Sequence, residues 1–414
     1  MWRHASGVCA GVGREQTLSR LLNIAIGSRA SRPALLAAVS LFCVDFGLQS
    51  GLRAETLQGA LSKAYGFSPD LGQQRAATRA ADEGVPRATA GYRPTVTGTA
   101  TLGSSWSYNV NNLSKSAPLT ENTVFNRSAQ LAVTQTLYNG NRTLNGVRQA
   151  ESTVLQSRET LRQSEQTVIN AAAVAYMNVL RDTALLRLQE NNTEVVAQQL
   201  KQTKDRFQVG EVTRTDVAQS EAAVALSNAN AFTARSNLQN SLAVYRQLMG
   251  EQPKNLSPAK PVDNLIPKKV DEAIALALAE HPLIQAALHA VDASQLNVKV
   301  QEGTLYPTLS VTASYGQTWD TNNAPHSKTT TAAAIGTLSI PIYDGGTNYA
   351  NIRQAKEQLG QARLAVDVQR ETIRAQVVSA WNAYQNSRLI IQSVQAQVRA
   401  SEIALNGEIG RAHV

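Results

Sequence analysis

Two patterns alternate along the chain. Four stretches switch between apolar and polar positions at every second residue. Each pair of them is followed by a long run in which apolar or small residues recur at steps of three and four. In 95–108 the even positions are Val96, Gly98, Ala100, Leu102, Ser104, Trp106 and Tyr108, and every odd position is Thr, Ser or Gly. In 309–319 the odd positions Leu309, Val311, Ala313, Tyr315 and Trp319 stand against Ser310, Thr312, Ser314 and Thr318. The returning segments 128–137 and 332–342 alternate more weakly. The pattern predicts strand pairs over 94–109 and 124–138 and over 307–320 and 331–343, each with one apolar and one wet face.

From Asn141 to Arg206 there is no proline and no glycine after Gly146, and Val147, Ala150, Val154, Leu161, Val168, Ala172, Ala175, Val179 and Leu186 keep helical spacing. A helix over 141–206 is roughly 100 Å long at about 1.5 Å per residue. That is coiled-coil length, but the seam is broad and rich in alanine, as suits the wall of a tube. The helix is predicted to break at 207–213, where Gly210 supplies the reversal. Thr213 or Thr215 then caps a return helix over 214–249, with Asp216 in its first turns. A Pro- and Lys-containing connector follows over 251–269. Helix resumes at 270, breaks at His281-Pro282 and continues to the second strand pair, and a second long helix is predicted over 346–407.

These halves are a duplication. Pro94 and Pro307, Trp106 and Trp319, and Pro69 and Pro282 are each 213 residues apart. Beyond the first hairpin loop the offset becomes 205, matching Leu137-Tyr138-Asn139-Gly140 to Ile342-Tyr343-Asp344-Gly345 and Ala175-Tyr176 to Ala380-Trp381. The repeats therefore span 55–250 and 270–408. The lost residues fall in the hairpin loop, expected as polar tips over 110–123 and 320–327, where length varies freely.

Segments of about 10 residues or more with aromatic ends suit a membrane-crossing barrel. Tyr92, Trp106, Tyr108, Phe125, Tyr138, Trp319 and Tyr343 occupy those ends. A soluble sandwich alternates in the same way. Four strands do not close a barrel, whose smallest members have about 8, and an open edge is not tolerated in lipid. If the strands lie in a membrane, several chains share the barrel.

The net charge of +8 has the sign of a nucleic-acid binder. However, residues 1–54 hold six Arg against Glu15 and Asp45, which accounts for half of it. No basic run of the nucleic-acid kind is present, and no nucleic-acid partner is expected. Both cysteines, Cys9 and Cys43, also lie before Ala54, so the body offers neither a disulfide nor a thiolate site. Residues 1–54 read as a signal peptide with a long n-region: Arg29 and Arg32, an apolar run over 34–44, and a cut after Ala54. Phe42 before Cys43 is a poor context for lipidation. Nothing in the body reads as a transmembrane helix.

With these residues in place the chain resembles the TolC-type outer-membrane efflux proteins, the exit ducts of tripartite drug pumps and type I secretion systems. The resemblance runs from about 55 to 406. It rests on Ser68-Pro69-Asp70-Leu71 with its echo His281-Pro282-Leu283-Ile284, on Gly91-Tyr92-Arg93-Pro94, on the two Tyr-Asn/Asp-Gly turns, and on Arg206-Phe207-Gln208-Val209-Gly210-Glu211-Val212-Thr213. It implies a mainly α fold with transmembrane β, in which a homotrimer builds a 12-stranded barrel in outer-membrane lipid, continued by an α-helical tunnel through the periplasm. It implies as partners a periplasmic adaptor protein and an inner-membrane pump or ABC exporter. Val209, Gly210 and Thr213 carry over as the adaptor-contacting tip, and Asp216 as a residue of the network that closes the tunnel. As a residue alone, Asp216 reads equally well as a dipole-complementing helix start.

The second repeat stops short of its own tip. Leu200 matches Leu405, but the counterpart of Phe207-Gln208-Val209-Gly210 is replaced by Glu408-Ile409-Gly410-Arg411-Ala412-His413-Val414. Residues 409–414 are expected to be non-native and adapter-derived. The fragment alone is expected not to form a sealed duct.

Catalysis has little support in the sequence. His4, His281, His289, His326 and His413 form no ligand-spaced cluster, and neither a phosphate loop nor a nucleophile motif is present, so neither an enzyme nor a cofactor is expected. The alternative from another class is a periplasmic coiled-coil adaptor or structural protein.

Overall fold

The computed structural model describes residues 54–109, 120–321 and 324–412. The expected leader before Ala54, the tips at 110–119 and 322–323, and 413–414 of the expected tail lie outside the described residues. Helices α1 (Leu57–Phe67), α2 (Pro69–Asp82) and α3 (Gly84–Thr89) lead into strands β1 (Thr95–Asn109) and β2 (Thr120–Asn139). Then come α4 (Arg142–Gln208), α5 (Arg214–Met249), α6 (Val270–Glu280) and α7 (Pro282–Glu302). Strands β3 (Thr308–Thr321) and β4 (Ala324–Ser339) and helix α8 (Thr347–Ala412) complete the described chain.

The duplication is legible in the caps. Ser68 accepts the Leu71 N–H ahead of Pro69, and His281 Nδ1 accepts the Leu283 N–H ahead of Pro282. Proline at the first helical position has no N–H to orphan and brings its φ already set. Both strand-to-helix turns use two consecutive residues at positive φ, Gly140-Asn141 (66° and 61°) and Gly345-Gly346 (70° and 90°). By composition, the stretch Val270–Leu305 is long and apolar enough to cross a membrane, contrary to the sequence expectation. It is interrupted at His281-Pro282, and α7 packs along both α4 and α8, so it serves as helical wall.

One sheet of order β1-β2-β3-β4 is antiparallel throughout. The second strands differ from expectation. β2 begins earlier, at Thr120, which shortens the first tip. β4 is displaced upstream from 331–343, ending at Ser339, which pairs with Thr308, the first residue of β3. In the first repeat β2 continues through a bulge to Asn139, which pairs with that same Thr308. Ile342 and Tyr343 consequently stand outside the sheet, 95% and 89% exposed.

The main core gathers Ala60 and Ala64 of α1, Ala172, Tyr176 and Val179 of α4, and Tyr245 and Met249 of α5. Alanines on two helices allow close approach, and two large side chains from the third fill the gap. The Tyr176 hydroxyl reaches the carbonyls of Glu55 (2.8 Å) and Ser257 (2.6 Å), tying the start of the described body and the connector to α4.

Candidate functional site: the sheet and the helical tip

Cross-strand register sorts the sheet into two faces. Val96 pairs with Val133, Val133 with Ala313 and Ala313 with Ala334. Gly98, Leu131, Tyr315 and Ala332 form the next row. The opposite face carries Thr95, Thr134, Thr312 and Ile335 in one row and Thr101, Ser128, Thr318 and Thr329 in another. Its hydroxyls bond across strands, as in Thr134 with Thr312 at 3.2 Å. One face is therefore mainly apolar and the other mainly polar, rich in Thr and Ser.

On β3 the mainly apolar stripe, interrupted by Gln317, spans ten residue steps from Leu309 to Trp319. At ~3.4 Å per residue and a tilt of ~40° that is about 26 Å, the height of a lipid-facing band. Trp106 stacks near Tyr108 with centroids 6.4 Å apart, and its indole N–H donates to Glu121 at 2.8 Å. An aromatic ring with one wet end suits a membrane interface. Among the described residues, the outer edges of β1 and β4 carry no strand partner.

The tip is a second built feature. Helix α4 ends in a Schellman motif: Gly210 has φ +84°, its N–H donates to the Phe207 carbonyl, and the Glu211 N–H donates to the Arg206 carbonyl, both at 3.0 Å. Arg206 Nε pairs with Glu211 at 2.8 Å and braces the turn. Val209 sits at the apex, 75% exposed. Thr213 then opens α5 with a capping box: its hydroxyl accepts the Asp216 N–H (3.3 Å), while Asp216 Oδ2 accepts the Thr213 N–H (2.7 Å). The Thr213 backbone and hydroxyl, followed by the Arg206 charge, hold the Asp216 carboxyl below the usual carboxylate range. All four residues read from the sequence thus meet in one turn, and Thr213, not Thr215, is the cap. The structure places Asp216 as the helix-start partner.

Sequence reading missed the polar rungs between α4 and α5. Thr203 meets Ser220, Thr193 meets Ser227, and buried Asp182 meets Ser241. The signal was present as a sustained four-three spacing of 182, 186, 189, 193, 196, 200 and 203, the seam period of a coiled coil. Hydroxyl residues hid it. Arg181 beside it is the main cause holding the Asp182 carboxyl low, against the effect of burial. Among the described residues the histidines do not converge: His281 caps α7, and His289 lies 3.9 Å from Asp292.

The family model for outer membrane efflux proteins matches residues 60–251 and 273–408, which is most of the chain. The chain belongs to the outer membrane efflux protein family. The outer membrane efflux protein BepC of Brucella suis is 38% identical over 382 residues, covering 92% of this chain and 81% of that protein. The outer membrane protein TolC of Escherichia coli is 29% identical, covering 84% and 73%. A solved structure of CusC shares the fold with a TM-score of 0.69 at 19% identity, covering 86% of this chain and 83% of that one. This efflux protein accordingly has the fold of a β-barrel continued by an α-helical tunnel, with the barrel in the outer membrane of a Gram-negative cell. It is a channel, and the adaptor alternative is set aside.

Proposed function

We propose that three copies join β4 of one chain to β1 of the next, closing a barrel of twelve strands around the hydroxyl-bearing face. The observation that carries this reading is the sheet itself. Its apolar face suits lipid, its Thr/Ser face suits a wet lumen, and both edges hold unpaired backbone groups that lipid cannot satisfy. Head-to-tail pairing about a rotation axis closes such units into a ring without an open edge, and three copies give the twelve strands that the family resemblance implies.

The duct receives cargo from an inner-membrane pump or ABC exporter through a periplasmic adaptor, for drug efflux, type I secretion or both. The exposed Val209 apex, the Gly210 turn and Thr213 form the adaptor contact, and Asp216 belongs to the closing network. An exported leader is removed after Ala54. In support of that boundary, the Glu55 N–H and carbonyl are already engaged by Asn255 and Ser257 of the connector.

Single cysteines placed along β1 and β4 test the assembly, because the body contains none of its own. Oxidation in outer-membrane fractions is expected to give covalent dimers and trimers for facing positions only. Monomers at every pairing would overturn the reading. Drug sensitivity and the secreted-protein profile of a deletion strain identify the cargo.

A further inference from the structure

The mainly apolar face of the sheet carries two cations near its outer end. In one cross-strand row Leu102, Arg127, Trp319 and Lys328 stand side by side, so Trp319 is flanked by Arg127 and Lys328. The strands meet the helices at Asn139, Thr308 and Ser339, so Trp319 lies at the end remote from the tunnel. Basic side chains on a lipid-facing surface are costly at mid-membrane and tolerated only near an interface. The first repeat builds its girdle without them. Trp106, 213 residues before Trp319, pairs with Thr123, 205 residues before Lys328, and donates to Glu121.

The two cations are held differently. Asp320 has φ +55° where the β3–β4 register shifts, and its carboxylate accepts from one Arg127 nitrogen and from the His326 N–H (3.1 Å). That contact orients the guanidinium, whose other N–H groups have no acceptor among the described residues. Lys328 is exposed and has no carboxylate partner among the described residues. Two strand spacings of ~4.8 Å set the backbones of the two cations about 10 Å apart. Ala129 and Gln317, two residues inward of Arg127 and Trp319, open a groove of about 540 Å³. There the small Gly98, Ala100 and Ala129 adjoin the larger Leu131 and Tyr315.

We propose, on the reading that this face meets lipid, that Arg127, Trp319 and Lys328 bind one phosphorylated glycolipid of the outer leaflet. Its phosphate lies on the two cations and one acyl chain runs along the groove below. Arginine's planar fork suits a phosphate, and lysine adds a compact charge on a flexible stem. Trp319 between them is an apolar ring with one polar edge, which suits headgroup level. Basic pockets at membrane depth take anionic lipid headgroups by the same charge complementarity. Cations about 10 Å apart across an aromatic ring suit a broad phosphorylated sugar better than a single phosphodiester. The outer leaflet of a Gram-negative outer membrane is rich in such lipids.

Native mass spectrometry of the full chain in detergent tests the site, with lipid A as the probe. Lipid A is expected to bind saturably, about tenfold more tightly than its dephosphorylated form or phosphatidylglycerol. Lys328→Thr, copying Thr123, and Arg127→Gln are each expected to weaken it about fivefold. Equal binding of dephosphorylated lipid A or of phosphatidylglycerol would overturn the proposal, as would unchanged binding in both variants. A fluorophore on Val311→Cys, in phosphatidylcholine vesicles with brominated acyl chains, checks the lipid-facing reading separately. Quenching is expected. Its absence would overturn the lipid face and this site together, whereas quenching without a phosphate preference overturns the site alone.

Discussion

The hydroxyls of Thr193 and Ser227 lie 2.8 Å apart across the α4–α5 seam. Thr193 already donates to its own Gln189 carbonyl at 2.9 Å, so Ser227 donates to Thr193 and in turn accepts from Asn192 at 3.3 Å. Polar groups at seam positions select one register at a cost in stability. Ser227→Ala is expected to cost about 0.5–1.5 kcal/mol. The effect should be read as a lower denaturant midpoint with an unchanged slope. The double change Thr193→Val with Ser227→Val should recover most of that loss while allowing disulfide crosslinks in shifted registers.

The duplicated glycines should not be equally replaceable. A Cβ on Gly140, at φ +66°, would stand 2.3 Å from the Gly303 carbonyl oxygen, whereas one on Gly345, at φ +70°, meets open space. Gly345→Ala carries the left-handed penalty alone, about 1–2 kcal/mol. Gly140→Ala adds a backbone clash and should cost clearly more, or prevent accumulation in the membrane. Paired thermal melts of the two variants check the order.

His281 gives the second repeat a pH-dependent cap. Its Nδ1 accepts the Leu283 N–H at 3.2 Å and so must be unprotonated, and burial holds its pKa below the ordinary value. The unfolded chain therefore takes up the proton first. The stabilisation is complete above about pH 6.5 and is lost as pH falls through the lowered folded value. His281→Ser, copying Ser68 of the first repeat, should keep the cap and flatten this segment's stability between pH 5 and 7 (about the normal histidine range). Hydrogen exchange at Leu283 would report it.

At the tip the sign is the same but the range is lower. The depressed Asp216 carboxyl contributes above the ordinary carboxylate range and loses its part only as pH falls through its lowered value. The α4–α5 turn should thus keep its exchange protection through mild acid. Thr213→Ala should cost about 1 kcal/mol of local stability. Loss of protection in mild acid by the unaltered chain would contradict the capping geometry.

The sheet faces are open to a direct test. Ala313→Arg on the apolar face should cost about 2–4 kcal/mol near mid-membrane. The adjacent Ser314→Arg, on the hydroxyl face, should fold nearly as the parent does. Urea titration of both variants in lipid vesicles distinguishes the faces, and equal losses would count against a lumen on the Thr/Ser side.

What the sequence alone determined was whatever depends on neighbours along the chain. Period-two alternation assigned each strand residue to a face, unbroken helical spacing set two long helices, and the offsets of 213 and 205 matched cap to cap and turn to turn. Gly210, Thr213 and Asp216 were legible because a helix reversal is built from local hydrogen bonds. Tertiary structure decided the rest, because burial belongs to pairs of elements. Thr193, Ser227 and Asp182 look like surface residues until α5 is laid against α4. β4 ends at Ser339 only because its partner Thr308 is where β3 begins. Val398 and Trp381 match the half-buried Thr193 and the buried Tyr176 of the first repeat, yet only the folded chain shows Val398 exposed and Trp381 half-buried.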